Sequence, residues 1–184
     1  RSMIHSLAGD GFLIGDEASA YWIGKMALNS ALRARDGRGG NQELLDVACK
    51  HFGAEPYQLT HTVHQLERPV HAIAEFAKVV NDLAQSGNSA ASEILNSAAD
   101  EIVLIATTAK RECAGGSDFQ VALIGGVLAP ENLVTKLVGE KLRYFPGISK
   151  CNSGAFTRGF YNRISKPMES LCSNANSRRF SSAR

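Results

Sequence analysis

Long apolar runs are missing from this chain of 184 residues. No stretch approaches the roughly eighteen apolar residues that a membrane-spanning helix needs, so no membrane partner is expected. Cysteine is sparse: four residues, at 49, 113, 151 and 172, with no CxxC spacing. That pattern excludes a zinc knuckle and a disulfide framework, and it suits a reduced, cytoplasmic setting. Residues Arg1 to His5 lack the apolar core of a signal peptide. There is no Walker motif and no GxGxxG. His51, His61, His64 and His71 fall near one another, but no acid completes an HExxH pattern. With too few ligands for a defined geometry, no bound metal is expected from them. Charged residues are 21% of the chain and hydrophobic ones 44%, which favours one folded domain over wholesale disorder.

Acidic residues are almost absent from one end. Residues 148–184 hold seven Lys and Arg, Glu169 as the one acid, and eight serines. Residues 1–147 hold 13 basic and 17 acidic side chains. A basic arm of this kind can serve nucleic acid or membrane, but weak apolar periodicity favours a poorly ordered tail, so no nucleic-acid partner is expected. The composition therefore divides the chain at 147/148.

Apolar periodicity predicts a mostly helical body. Gly11 to Gly15 reads as a strand or extended turn, and Asp16 as the N-cap of a helix running to about Arg35. Asn41 caps a helix over 42–52, which Gly53 stops. Pro56 is expected at the start of a short helix, Pro69 at the start of another ending near Gly87. A long helix then runs from Asn88 or Ser89 to about Cys113, with Ile94, Leu95, Ala98, Ile102, Ile105, Ala106 and Ala109 on its apolar stripe. Phe119 to Ile124, apolar save for Gln120, has the pattern of a strand covered on both faces. Gly125 and Gly126 follow at once, and Pro130 is expected to open a last helix ended by Pro146 and Gly147. One or two strands are too few for a complete sheet.

Two segments carry chemistry. In the strand, Gly-Gly, helix unit at 119–143, the missing side chains of Gly125 and Gly126 let a ligand approach the backbone, and the next helix offers free N–H groups. That is a plausible nucleotide site, although glycines after strands also make ordinary packing turns. In the segment Gly9-Asp10-Gly11-Phe12-Leu13-Ile14-Gly15-Asp16-Glu17, the Asp16 carboxylate is a good acceptor for sugar hydroxyls. The same carboxylate also suits the helix cap, and its two oxygens can serve both.

Gly15-Asp16-Glu17-Ala18-Ser19-Ala20-Tyr21-Trp22-Ile23 resembles the GDEGSAYWI segment of N-acetylglucosamine kinases and related members of the BadF/BadG/BcrA/BcrD ATPase family. Arg33 to Gly39 is similar to a segment that many members carry after that helix. Val121 to Leu128 resembles the adenosine-side motif shared across actin-like ATPases. The likeness covers about 1–147.

The resemblance implies an α/β fold: a ribonuclease-H-like, actin-type ATPase lobe with a large helical insertion over about 16–113. It implies ATP-dependent phosphorylation of an amino sugar, N-acetylglucosamine to its 6-phosphate, with ATP and Mg2+ as cofactors. Gly9, Asp10, Gly11 and Asp16 match sugar-binding positions, Asp10 standing where the family has tryptophan. Ala74, Gly125, Gly126 and Pro130 match positions around the nucleotide. The family's phosphate loop, catalytic base and magnesium ligands belong to an N-terminal lobe whose motifs are not in this sequence. Alone, the chain is therefore expected to show little or no kinase activity. Its expected partners are sugar, ATP, and a second copy or an N-terminal lobe. The break at 148 suggests a truncated or altered product. Two other readings stand beside this one, a non-catalytic interaction module and an activase-type ATPase.

Overall fold

The computed structural model describes residues 7–114 and 117–151. Its order is α1 (Ala20–Arg35), α2 (Gln42–Phe52), α3 (Leu59–Gln65), α4 (Pro69–Gln85), α5 (Ser89–Cys113), β1 (Phe119–Ala122), α6 (Leu133–Leu142) and β2 (Ile148–Cys151). The two strands form a small parallel sheet, joined through α6. The described residues up to Lys150 form one compact unit. The tail from 152 onward, expected to be poorly ordered, lies outside the described residues.

The helices begin and end where local chemistry directs. The Asn41 side chain accepts from the Leu44 N–H at 3.0 Å, and Asn88 from the Ala91 N–H at 2.9 Å. Each satisfies an N–H that the helix itself cannot. Asn88 also donates to Asn41 and Glu43, so the starts of α2 and α5 share one polar knot. Gly53 closes α2 in the left-handed conformation, at φ 62°. Among the described residues, no helix is long and apolar enough to cross a membrane.

The core is built on α1 and α4, with α2 and α5 packed around them. Ile23, Ala27 and Ala31 of α1 meet Phe76, Val80 and Ala84 of α4, all buried. Gly24 sits in the α1–α4 crossing. A Cβ there would overlap the Ile73 carbonyl oxygen and lie 3.0 Å from the carbonyl carbon. Only glycine lets the two backbones approach so closely.

Five expectations need correction. Helix α1 is capped by Ser19, whose Oγ accepts from the Trp22 N–H at 3.0 Å, and Asp16 lies outside the helix. Pro56 and Pro130 lie in the turns before α3 and α6, which start three residues later. The buried stripe of α5 is Ala91, Leu95, Ala98, Ala99, Val103 and Ala106. Small residues there let neighbouring helices come close, so the larger Ile94 and Ile105 are displaced to the flanks. Strand β1 stops at Ala122 and is only partly covered, with Ile124 beyond it 57% exposed. A sheet of two strands has too little layer around it to bury both faces. Finally, the body does not end at Gly147: β2 follows it, with the Phe119 N–H donating to the Gly147 carbonyl at 2.8 Å. Gly147 can make that turn because it takes φ 71°.

Candidate functional site

A cleft lies where α4 meets the turn after β1. It holds about 290 Å³, near the lower end for small-molecule pockets. Ala74, Ala77, Lys78, Asn81 and Asp82 of α4 form one wall. Gly126, Val127, Asn132 and Val134 form the opposite wall, and Ala20 and Ile23 of α1 close the end. Ala74 and Gly126, 52 positions apart in sequence, thus face one space. Gly125 and Pro130 belong to the same turn but do not line the cleft.

The turn is held from both sides. Asn132 Nδ2 donates to the carbonyls of Gly126 at 2.7 Å and Val127 at 3.1 Å. The buried Thr135 hydroxyl donates to the Ala129 carbonyl at 2.8 Å. From α4, Asn81 Oδ1 accepts the Leu133 N–H at 3.0 Å, and Gln85 donates to the Glu131 carbonyl at 3.3 Å. Gly125 sits at φ 121°, a conformation open to glycine. A Cβ on Gly126 would meet no protein atom within 4 Å, so its bare face opens on the cleft. These bonds leave the amide NH2 of Asn81, the amide oxygen of Asn132, and both Lys78 and Asp82 free for a ligand. Neither Lys78 nor Asp82 makes an ion pair among the described residues. The site therefore combines an apolar slot with donors and acceptors along one edge.

The second candidate segment is a tight turn ahead of α1. The Gly15 and Ile14 N–H groups both donate to the Gly11 carbonyl, at 2.9 and 3.2 Å. Gly9 and Gly11 take φ 80° and 92°. The Asp10 side chain folds across Gly15, where a Cβ would stand 3.4 Å from that of Asp10. Asp16 is half-buried, and its carboxylate has no partner among the described residues. The true cap, Ser19, releases it from the role that its position suggested. Ala18 follows at φ 65° and is buried. That conformation costs a non-glycine residue about 1–2 kcal/mol, and the resembling segment has glycine there. Gly9, Asp10, Gly11 and Asp16 thus share one loop, which leads into α1 and through Ala20 and Ile23 to the cleft.

What the sequence reading missed is the polar edge: Lys78, Asn81, Asp82 and Asn132. The spacing of 78, 81 and 82 along one helix face carried a signal, but surface polar residues show that spacing on most helices.

The sequence profile of the BadF/BadG/BcrA/BcrD ATPase family matches residues 4–150. The chain belongs to that family, and with it to the actin-like ATPases. Among solved structures, it is similar to one from Chromobacterium violaceum described as a "putative N-acetylglucosamine kinase". The TM-score is 0.62 at 23% identity, over 78% of this chain and 46% of the other. That likeness shows a shared fold, and this chain spans about half the length of that protein. No individual curated protein sequence matches.

Proposed function

We propose that this chain is the sugar- and nucleotide-facing half of an ATP-dependent amino-sugar kinase, with N-acetylglucosamine as the substrate. One observation carries the reading: the cleft brings Ala74 and Gly126, which sequence resemblance had assigned separately to the nucleotide, onto facing walls. In this reading the fold is a ribonuclease-H-like lobe at β1, α6 and β2, with α1–α5 as its helical insertion.

The residues present fit an adenosine. A slot of about 290 Å³ has room for a heterocycle and its ribose rather than a whole nucleoside triphosphate. Its apolar walls, Ile23, Ala77, Leu95 and Val134, suit the base. Lys78 and Asp82 at the edge suit hydroxyl and phosphate oxygens. When bound, ATP supplies the transferred phosphoryl group. The chain's own residues would bind and orient: the bare Gly126 backbone admits the ligand, Asn132 keeps the turn open, and Asp16 accepts a sugar hydroxyl. The proton acceptor for the sugar hydroxyl and the ligands for Mg2+ are assigned to residues outside this sequence.

Calorimetric titration with adenosine diphosphate tests this. Binding is expected, and Gly126→Val should weaken it at least tenfold by filling the cleft. Asp16→Ala should instead weaken N-acetylglucosamine and spare the nucleotide. Absence of nucleotide binding, or equal affinity in the Gly126→Val chain, would overturn the assignment.

A further inference from the structure

A second concave space shares no lining residue with the cleft. It is a groove of about 330 Å³ between α1, α3 and α4. Tyr21, Lys25, Leu28, Asn29 and Leu32 line it from α1, at the spacing of one helix face. From Tyr21 to Leu32 that face runs about 16 Å. Leu59 and Val63 of α3 and Ile73 of α4 complete the lining. Leu28, Leu59 and Val63 are buried and Leu32 and Ile73 half-buried, so the floor is apolar.

The charge around this floor has one sign. Lys25, Arg38 and His64 line the groove, the last a cation when protonated, and among the described residues no Asp or Glu does. Arg38 is occupied, holding Asp36 at 2.9 Å. Lys25 is exposed and makes no ion pair among the described residues. A lysine stem can lie along an apolar stripe and leave its ammonium at the rim.

We propose that this groove binds a small carboxylate with a medium-length apolar chain, its head on Lys25 and its chain over Leu28, Leu59, Val63 and Ile73. The apolar floor selects the chain, whose burial drives binding. The unpaired ammonium selects a single negative head. A neutral head would leave it unmatched and a cationic one would be repelled. The volume of about 330 Å³ suits a small molecule. It is less than one turn of an α-helix about 10 Å across would fill, so a docked peptide helix fits poorly. The site stands apart from the kinase reading and needs no nucleotide.

Titration of the full chain with decanoate, below its micellar concentration, provides the test, read by calorimetry and methyl NMR. Saturable one-to-one binding is expected. The methyl signals of Leu28, Val63 and Ile73 should shift, and that of Val134 in the cleft should not. Each buried methylene tightens binding about fourfold, so octanoate should bind roughly tenfold more weakly. Decyltrimethylammonium, with the same chain and the opposite head, should bind the wild type more weakly than decanoate. Lys25→Glu, at an exposed position, should weaken decanoate about fivefold and reverse that order, with an unchanged circular dichroism spectrum. The proposal fails if decanoate does not bind, or if the shifts fall in the cleft or spread over the surface without saturating. It also fails if octanoate matches decanoate, or if the wild type binds both head groups alike.

Discussion

Gly24→Ala is the most informative small change, because one methyl group tests how closely the central helices cross. Residue 24 is buried within α1. An alanine Cβ would overlap the Ile73 carbonyl oxygen and stand 3.0 Å from its carbon and 3.1 Å from Ile73 Cγ2. The first two atoms are backbone of α4, so no rotamer change relieves them, and the helices must move apart. Overpacking of this kind costs typically about 1–3 kcal/mol. Against it, alanine gains up to about 1 kcal/mol over glycine as a helix former. Steric loss should win by about 1–2 kcal/mol, since separation also loosens Ile23, Ala27 and Phe76. For a domain of this size that is a fall in Tm of roughly 2–8 °C.

Urea unfolding followed by circular dichroism measures it. The midpoint should fall with the slope unchanged, as expected for altered stability without altered exposure. Gly24→Val should fall further. A midpoint equal to or above that of the wild type would mean that helix propensity dominates, and would refute the close crossing.

Other expectations are as direct. The Asp36 carboxyl is held below its ordinary value of 3.8 by hydrogen bonds first from Arg35 and then from Arg38. Its contribution to folding is therefore present above about pH 4 and fades as pH falls through the lowered value. Carboxyl NMR titration should show the low midpoint rising part of the way in Arg38→Ala; an unchanged midpoint would remove the Arg38 bond as a cause. Burial, with Asp46 and Glu55 adding to it, raises the Cys49 thiol above its ordinary value. Near pH 8, iodoacetamide should alkylate the exposed Cys113 well before Cys49; mass spectrometry of tryptic peptides showing the reverse order would refute this. Asn132→Ala should cost about 1–2 kcal/mol of stability by releasing two carbonyls and weaken adenosine diphosphate more than sugar. Equal weakening of both would make Asn132 a general structural residue rather than a support for the cleft.

The helices were legible where the signal was local. Asn41, Asn88 and Pro69 mark starts, and Gly53 and Gly87 mark ends, through chemistry confined to a few residues. Asp16 misled because it has the right side chain three residues early. The cap went to Ser19, with Ala18 in a left-handed conformation between them, a backbone state that sequence pattern does not announce. Pro56 and Pro130 misled likewise: proline's fixed φ serves a turn as readily as a first helical position. For the site, the glycine pair could be read from the strand before it. Of its partner wall, Ala74 was readable through the family resemblance, but Asn81 was not, because it reaches the cleft only through the packing of α4 against α1. The apolar run Phe12–Ile14 was visible in the sequence, but its exposure was not. Only the turn at Gly11 decides that Leu13 and Ile14 project outward.

That packing gives the cleft and the groove between α1, α3 and α4 a common wall. Ile73 faces the groove and its neighbour Ala74 faces the cleft; Tyr21 and Lys25 line the groove, and Ile23 between them lines the cleft. The crossing at Gly24 separates the two spaces by one layer of backbone. A displacement of α4 from α1 must therefore change both at once. Gly24→Ala should weaken nucleotide binding, although residue 24 does not line the cleft. If Gly24→Ala lowers stability as expected but leaves nucleotide affinity unchanged, the helices do not move as rigid neighbours. The wall would then yield locally, through the side chain of Ile73 on one face or the small Ala20 and Ala74 on the other.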